Sequence, residues 1–327
     1  MFDLNRRRVL ESLGLGGIAS VAGCSGGAVE APQATAAATT TTTASGGSNA
    51  KELDAAQVAA DPTAIPDPID RSEPTTHEIT LTYEEVTAEI EPGVTFNFMT
   101  FDGRIPGPMV RIRQGDTVEL TVENLDENTL QHNVDFHAVY GTGGGSVSTT
   151  AAPGKANALQ FRAEYPGAFI YHCAVPNLDM HISSGMFGMI LVEPADGLPA
   201  VDRELYFGQH EIYTDKQAGE EGAHAFNMGS MANEQPTYVV LNGEKYAWAA
   251  AARGPLEVEQ GETVRVYLVN GGPNLSSNFH PIGNVWTRAY RDGGLPTDED
   301  LAQYADKNIQ TMTVPPGSCM VGEMDTP

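Results

Sequence analysis

The feature that most constrains the fold is a stretch that occurs twice. The segment GPMVRIRQGDTVELTVEN, residues 107–124, recurs as GPLEVEQGETVRVYLVN at residues 254–270. Both copies mix apolar, β-branched and charged residues around a Gln-Gly turn, which predicts short strands in each copy. Each copy is followed by a Phe-His pair, Phe136-His137 in the first and Phe279-His280 in the second. A repeated strand pattern of this kind predicts two similar domains in tandem.

Short strand-like runs continue through the chain from about His77. The runs EITLTYEEVTAEI, VTFNFMTFDG and NALQFRAEYPGAFIYHC are rich in β-branched and aromatic residues and are separated by Gly, Pro, Asn and Asp. Helical periodicity is confined to DEDLAQYADK near Leu301. This pattern is typical of an all-β protein of the sandwich or barrel type. Together with the repeat, it predicts two β-sandwich domains of one kind, over residues 75–195 and 196–327.

A second pair of similar stretches concerns the end of the chain. APGKANALQFRAEYPG in the first domain aligns with PPGSCMVGEMDTP, which ends at Pro327. In the first domain the matching Pro166 is followed shortly by His172. The comparison predicts that the second domain is incomplete at its C-terminus and that the natural protein continues.

The N-terminus has the pattern of an export signal. NRRRVLESLGLGGIASVAGCSGG combines an arginine cluster, a short apolar run and a small-residue segment that ends in Cys24. The apolar run is too short to span a bilayer. The arginines resemble a twin-arginine signal, and VAGC resembles the lipobox of a lipoprotein. We therefore expect an export signal over residues 1–24, a location outside the cytoplasmic membrane, and lipid anchoring through Cys24.

The next segment is low in complexity. APQATAAATTTTTASGGSNA has almost no large apolar residues, so it cannot bury enough surface to offset the entropy lost on ordering. We predict a flexible Ala/Thr-rich tether over residues 25–74, between the lipid anchor and the folded body.

The chain is strongly acidic. Of its 327 residues, 43 are Asp or Glu and 18 are Lys or Arg, which gives a net charge of −25. Such a surface repels nucleic acids and anionic membranes, so neither is expected as a partner. The low lysine content favours a source that lives at high salt. Three cysteines cannot form a disulfide framework, so a packed core must supply the stability.

The stretch IYHCAVPNLDMHISSGM, residues 170–186, concentrates metal-binding side chains. Its His172 and Cys173 are adjacent, and successive side chains on a strand point to opposite faces. In HNVDFH, His132 and His137 are an odd number of positions apart, so they also face opposite ways if that segment is a strand. One of these histidines can then meet Cys173 while the other meets His172. The spacing predicts two metal sites, back to back and joined by one peptide link.

The two predicted sites differ in ligand chemistry. The first combines a thiolate, two imidazoles and a weak axial thioether, which is the arrangement of a blue-copper electron-transfer centre. Its ligands are Cys173, His132, His181 and Met186. The second site has His137 and His172 and needs a third ligand. Imidazole coordination with an open position suits copper or zinc that binds a small ligand.

Several other residues have a functional and a structural interpretation. Asp135 lies on the same side as His137, which favours catalysis beside a metal-bound water over an exposed turn carboxylate. Cys319 is expected to be a buried free thiol. The remaining histidines outside these groups are expected to be surface or hydrogen-bonded residues, namely His77, His210 and His224.

At these residues the chain resembles the copper-containing nitrite reductases, which are two-domain cupredoxin proteins that assemble as trimers. The matching stretches are FDGRIPGPMVRIRQGD, HNVDFHA, YHCAVPNLDMHISSGMFGMILVEP, GQHEIYTDK and NGGPNLSSNFHPIGNVW. The resemblance implies an all-β fold of two tandem cupredoxin-type Greek-key β-sandwich domains. The loop between Cys173 and His181 resembles the shorter-loop branch of this family.

The resemblance implies two copper ions per chain in the complete protein. The type 1 copper would be bound by His132, Cys173, His181 and Met186. The type 2 copper would be bound by His137 and His172. Its third histidine is expected beyond Pro327 and would come from a neighbouring subunit of a homotrimer.

The resemblance also implies the reaction. Asp135 and His280 would supply protons, and Ile282 would be an apolar cap that restricts how the ligand sits. Nitrite would be reduced by one electron to nitric oxide and water, as in denitrification. The electron donor would be a small cupredoxin or a cytochrome.

Two alternative functions belong to other classes. A multicopper oxidase would share the domains and the first site, but it needs His-x-His pairs and a His-Cys-His core. Here Cys173 is followed by Ala174, and no His-x-His occurs. A simple electron carrier would keep the Cys173 site alone, which leaves His137, His172 and Asp135 unexplained.

Overall fold

The computed structural model describes residues 51–52, 58–249, 252–296 and 301–327. Most regular structure in these residues is β-strand, so the predicted all-β class is confirmed. The predicted export signal, Cys24 and most of the predicted tether lie outside the described residues. Among those that are described, no helix has the length and apolar character needed to cross a membrane.

The first half of the chain forms two sheets, and one of them is joined at its edge by β11 from the second half. The larger sheet has the strand order β11-β3-β2-β5-β7, with β1 paired to β2. Its strands are β1 (Lys51–Glu52), β2 (Thr76–Glu91), β3 (Val94–Phe101), β5 (Thr117–Asn124), β7 (Lys155–Arg162) and β11 (Gly222–His224). The smaller sheet has the order β4-β9-β8-β6. Its strands are β4 (Val110–Arg113), β6 (Asp135–Phe136), β8 (Gly167–His172) and β9 (Phe187–Glu193).

Alternation along the strands builds the core between these sheets. In β5 every second residue is buried, so Val118, Leu120 and Val122 point inward while the polar residues between them, Glu119 and Thr121, face outward. They share one apolar cluster with Phe136 and Tyr171 from the smaller sheet. Strand β9 is buried along its whole length because both of its faces are covered.

The second half forms one five-stranded sheet and one two-stranded sheet. The five-stranded sheet has the order β12-β10-β13-β17-β15, and the two-stranded sheet pairs β14 with β16. The strands are β10 (Arg203–Ile212), β12 (Tyr238–Leu241), β13 (Thr263–Gly272), β14 (Ser277–Phe279), β15 (Arg288–Tyr290), β16 (Met312–Val314) and β17 (Ser318–Asp325). Four short helices interrupt the strands of the described chain: α1 (Ser146–Thr149), α2 (Leu178–Ser183), α3 (Met228–Ala232) and α4 (Leu301–Tyr304).

The sequence repeat appears in the structure with one difference. The TVELTVEN of the first copy is β5, and the matching TVRVYLVN of the second copy lies in β13. The Phe-His pair follows in both copies, at the end of β6 and at the end of β14. Residues 110–113 form β4, whereas residues 257–259 of the second copy are not in a strand. The boundary placed between residues 195 and 196 stays a prediction.

A buried network of ion pairs joins the two halves. Arg111 on β4 pairs with Glu193 on β9 at 2.5 Å and with Glu204 on β10 at 2.6 Å. Glu204 also pairs with Arg265 on β13 at 3.0 Å, and Arg265 pairs with Glu323 on β17 at 2.7 Å. Because each buried charge has opposite charges within hydrogen-bond distance, its desolvation cost is offset. The network fixes β10 against the smaller sheet of the first half.

The predicted tether extends too far along the chain. From Val58, which is 2% exposed, the chain packs on the folded body. The Ala60 N–H donates to the Ile105 carbonyl at 2.9 Å, and the Tyr206 N–H donates to the Pro62 carbonyl at 2.8 Å. Residues 58–74 contain few large apolar side chains, which is why their composition predicted a tether. They are held instead by backbone hydrogen bonds and by the Arg71–Asp116 ion pair, which cannot be inferred from composition.

Replacing Asp116 with Asn should weaken this attachment. Its buried carboxylate accepts hydrogen bonds from Arg71, His77 and the Thr75 and Arg113 N–H groups. Burial opposes ionisation, but these hydrogen bonds hold the pKa of Asp116 well below its usual range. A lowered folded-state pKa stabilises the fold above the unfolded-state pKa of about 4, and this contribution is lost as the pH falls further.

We expect Asp116→Asn to lower the free energy of unfolding by about 1–3 kcal/mol at neutral pH, with a smaller difference from wild type in acid. Urea unfolding at neutral and at acid pH measures this difference in free energy. The control is Glu127→Gln, a substitution at an exposed carboxylate. An equal loss at both pH values would contradict the role of the charge.

Candidate metal centres

Three metal-binding atoms converge inside the first half of the protein. His132 Nδ1 lies 3.1 Å from His181 Nδ1, and Cys173 Sγ lies 3.5 Å from His181 Nδ1 and 3.9 Å from His132 Nδ1. All three side chains are buried: His132 and Cys173 are 0% exposed, and His181 is 3% exposed. Tetrahedral coordination by nitrogen and sulfur separates the ligand atoms by about 3.3–3.7 Å. The set therefore fits one metal ion.

Hydrogen bonds in the loop after β8 hold these ligands in place. Cys173 follows β8 directly, and His181 lies on α2. The Met186 N–H donates to the His181 carbonyl at 3.0 Å, and the Cys173 N–H donates to the Met186 carbonyl at 3.1 Å. The Met186 side chain is fully buried in the same apolar cluster as Cys173. Three residues of the first predicted ligand set, Cys173, His181 and Met186, thus belong to one closed loop. The fourth, His132, lies next to that loop.

The ring orientation of His132 is fixed by Glu85 on β2. His132 Nε2 lies 3.1 Å from Glu85 Oε1. A carboxylate can only accept, so Nε2 of His132 carries a proton, and Nδ1 is the ring nitrogen that faces Cys173 and His181. Sequence reasoning missed Glu85, because YEEV reads as an ordinary strand.

Asn133 is a second residue that sequence reasoning missed. Its Oδ1 accepts a hydrogen bond from the Ala174 N–H at 2.7 Å and lies 3.7 Å from Cys173 Sγ. It therefore ties the segment before β6 to the segment after β8. Its position next to His132 was the signal that could have found it.

Burial decides the protonation of the first ligand set. Burial, together with the nearby His132, lowers the pKa of His181 to about 4, so this imidazole is neutral at pH 7. Burial raises the pKa of the Cys173 thiol to about 11. The thiolate therefore needs a bound cation to replace its proton. A soft thiolate with two imidazoles selects copper over hard cations, so the donor set fits copper.

A second pair of histidines lies nearer the surface. His137 Nε2 is 3.2 Å from His172 Nε2. The His172 Nδ1–H donates to the Cys173 carbonyl at 3.0 Å, which leaves the lone pair of Nε2 directed at His137. Partial burial and the neighbouring His172 lower the pKa of His137, so it stays neutral at neutral pH. Two converging imidazoles can hold a metal ion that takes its other ligands from elsewhere.

The two sets lie on opposite sides of the His172–Cys173 peptide link, as the strand period predicted. Residues 132–137 do not form one strand, although the spacing argument assumed that they would. Strand β6 contains only Asp135 and Phe136, and His132 is held outside it by a two-hydrogen-bond bridge to Ala151. Two separate backbone contacts therefore place the two histidines.

Asp135 lies beside the second pair. It is directly opposite His172 in the antiparallel pairing of β6 with β8, and it is half-buried. Across the described residues, its carboxylate has no hydrogen-bond partner. The glycine turn that follows packs against it, and a Cβ at Gly144 would overlap Asp135 Oδ1.

The catalytic roles predicted for His280 and Ile282 stay predictions. The His280 Nδ1–H donates to the Gln310 carbonyl at 2.5 Å, and Ile282 is 88% exposed. Within the described part of the chain, neither has a hydrogen bond or ring contact with Asp135, His137 or His172.

The other histidines and Cys319 have structural surroundings, as expected. His77 is hydrogen-bonded to Asp116, and His224 to Thr214 and the Glu220 carbonyl. His210 is fully buried, with Nδ1 bonded to the Ser183 carbonyl. Cys319 is a buried free thiol.

Comparisons with known proteins agree with this geometry. A family model described as multicopper oxidase matches residues 82–197, which contain both ligand sets. A copper-containing nitrite reductase from Neisseria meningitidis serogroup B is 44% identical over 79% of this chain and 64% of its own length. One from Alcaligenes xylosoxydans xylosoxydans is 33% identical over 70% of this chain and 71% of its own length. A solved copper nitrite reductase from Nitrosomonas europaea has a TM-score of 0.67 and 32% identity, over 77% of this chain and 85% of that one.

The sandwich sheets and the buried Cys-His-His set define a cupredoxin-type copper protein. Within that class, the chain belongs to the copper-containing nitrite reductase family. The resemblance found in the sequence is confirmed. The chain spans 64% of the length of the Neisseria relatives that it matches.

The two described cysteines offer a matched test of the first centre. Both are free and buried, but only Cys173 lies next to histidines. The copper-loaded protein should show an intense visible thiolate-to-copper band. Cys173→Ser should lose that band completely, and Cys319→Ser should keep it. A band that survives in Cys173→Ser would contradict the assignment of the thiolate ligand.

Proposed function

We propose that the complete protein reduces nitrite to nitric oxide. The reaction consumes one electron and two protons and releases one water. His132, Cys173, His181 and Met186 would hold a type 1 copper, and His137 and His172 would contribute to a type 2 copper. Bound copper supplies one-electron chemistry and, at the second set, an open position for a small ligand.

The observation that carries this proposal is the peptide link between His172 and Cys173. An electron carrier needs only the buried thiolate set. Here the residue before the thiolate is an imidazole whose Nε2 lies 3.2 Å from that of His137. The shortest covalent path from the buried set to the surface set is therefore the backbone of two adjacent residues. Such a path suits delivery of an electron to a substrate bound outside.

Asp135 is the proposed proton donor on this chain. Its carboxylate faces the His172 side of β6 and accepts no hydrogen bond across the described residues, so it is available to a bound substrate. A carboxyl group within reach of the departing oxygen can hold and transfer a proton. The glycine turn at Gly144 leaves the space that this carboxylate occupies.

We propose that the second proton and the remaining copper ligand come from a neighbouring subunit of a homotrimer. His280 follows β14, and its imidazole donates Nδ1–H to the Gln310 carbonyl, so Nε2 has no hydrogen-bond partner among the described residues. Ile282, exposed in the single chain, would then cover the neighbouring subunit's substrate. The names of the relatives support nitrite as the substrate.

The cellular setting is proposed from the sequence. The N-terminal arginines and the VAGC segment support export and lipid anchoring at Cys24, outside the cytoplasmic membrane. A small cupredoxin or cytochrome would supply the electron. The net charge of −25 would give donor binding a dependence on salt.

Copper counting with electron paramagnetic resonance, on protein from its own source, tests the proposal. Two coppers per chain, one with narrow and one with wide hyperfine splitting, together with nitric oxide release from nitrite, are expected. One copper of the narrow type and no nitrite turnover would instead support an electron carrier. The electron carrier is the second candidate because, among the described residues, only the group at Cys173 brings three metal-binding side chains together.

Replacing Asp135 with Asn should slow nitrite turnover by about 10²-fold or more, the usual size of an acid–base contribution. The visible band of the Cys173 centre should be unchanged, because Asp135 lies on the other side of the peptide link. Steady-state nitric oxide production and the absorption spectrum measure both. Unchanged turnover would remove Asp135 from the mechanism.

Two neighbouring glycines provide a test of how Asp135 is placed. Gly143 and Gly144 both have left-handed backbones, with φ of 65° and 52°. Alanine should therefore cost similar strain at either position, about 1–2 kcal/mol. Only at Gly144 would the new methyl group overlap the Asp135 carboxylate. At Gly143 it would meet Ser146 Oγ, 2.8 Å away, which can rotate.

Gly144→Ala should therefore reduce turnover nearly as much as Asp135→Asn, whereas Gly143→Ala should retain most of it. Equal losses in the two glycine variants would mean that backbone strain, and not the position of Asp135, controls the rate.

A further inference from the structure

We propose that Glu85 is a positioning residue that orients His132 and lowers the reduction potential of the metal bound by the Cys173 set. The inference rests on the proposed type 1 centre, but it concerns a residue outside the ligand set. It is carried by contacts of the carboxylate with the ligand imidazole and with the adjacent loop.

The Glu85 carboxylate is held from several directions. Oε1 accepts hydrogen bonds from the Thr129 N–H at 3.0 Å and the Leu130 N–H at 2.8 Å, and Oε2 accepts from the Thr129 hydroxyl at 2.6 Å. The Glu85 N–H donates to Asn128 Oδ1 at 2.9 Å. The side chain is only 14% exposed. Its position is therefore set by the fold before any metal binds.

His132 is fixed by the same carboxylate. Its Nε2–H donates to Glu85 Oε1 at 3.1 Å, and its ring packs edge-on to Tyr83 with centroids 5.9 Å apart. The backbone of His132 is held by Ala151 on the other side. The ring can thus present only Nδ1 to the ligand cluster. Rotation of the ring would break the Glu85 hydrogen bond and bury an unpaired N–H.

The two imidazoles of the set differ in whether a carboxylate is hydrogen-bonded to them. His181 Nδ1 lies near His132 Nδ1 and Cys173 Sγ. Across the described part of the chain, no carboxylate is hydrogen-bonded to it, which leaves Glu85 as the single anion bonded to this ligand set.

A fixed anion bonded to a ligand favours the more positive metal state. Hydrogen bonding to a carboxylate also raises the basicity of the imidazole that binds the metal. Both effects strengthen binding of Cu(II) relative to Cu(I). Glu85 should therefore lower the potential of this centre and raise its affinity for the oxidised metal.

Glu85→Gln separates charge from shape. An amide can keep its oxygen in the Oε1 position, where it still accepts from His132, Thr129 and Leu130. Its NH2 group then replaces Oε2, and the Thr129 hydroxyl can turn to accept. Glu85→Ala removes the hydrogen bond as well. The matched control is Glu78→Gln on the same strand, which removes the same charge from an exposed position.

The experiment measures copper affinity, visible absorption and reduction potential for these variants of the full chain. Affinity is measured by titrating the metal-free proteins with Cu(II) against a competing chelator. Glu85→Gln should keep the absorption band and lose about tenfold in its preference for Cu(II) over Cu(I), which is ~59 mV for a one-electron couple. Glu85→Ala should lose about 10- to 100-fold in Cu(II) affinity. Glu78→Gln should match wild type.

A potential for Glu85→Gln equal to that of Glu78→Gln would overturn the electrostatic role, even if Glu85→Ala failed to fold. Undiminished Cu(II) affinity in a folded Glu85→Ala would overturn the positioning role. A wild-type protein that binds copper without a thiolate band would overturn the type 1 centre itself and the role of Glu85 with it. None of these measurements uses nitrite turnover. A failure of the proposed nitrite reduction can therefore be told apart from a failure of the role of Glu85.

Discussion

The site depends on one geometric constraint, which is the alternation of side chains where β8 ends. His172 and Cys173 are neighbours in the chain, so they must point to opposite sides of the smaller sheet. The thiolate then enters the fully buried cluster, and the imidazole faces the surface with His137. Every other ligand is placed relative to this pair. The loop through α2 returns His181 to the buried side, and the bridge to Ala151 brings His132 to it.

Burial gives the two ligand sets different chemistry. The inner set holds a thiol whose pKa is raised to about 11, so it needs a cation to be ionised. The carboxylate of Glu85 and the amide of Asn133 fix its geometry from outside the ligand set. The outer set is open to solvent and keeps a carboxylate, Asp135, free of hydrogen bonds to the described residues. A closed set of ligands and an open set are therefore built on the two faces of one strand.

The part of the site that could be predicted was the part encoded by local spacing. The adjacency of His172 and Cys173, and the odd separation of His132 and His137, led to the two sets that the structure brings together. The underlying assumption of a long strand was wrong, since β6 has only two residues. The tether was predicted too long because Arg71 is held by Asp116, a contact between residues far apart in sequence. Glu85 was missed for the same reason.

The sequence by itself determined the class of fold, the chemical types of the ligands and the family, because these follow from strand periodicity, donor atoms and motifs that are local in the chain. Only the tertiary structure decided which carboxylate orients His132 and how residues 58–74 attach. The physical reason is that burial and hydrogen bonding depend on residues that meet through folding. Glu85 and His132, for example, are brought together from different strands and loops, and no local pattern records that contact.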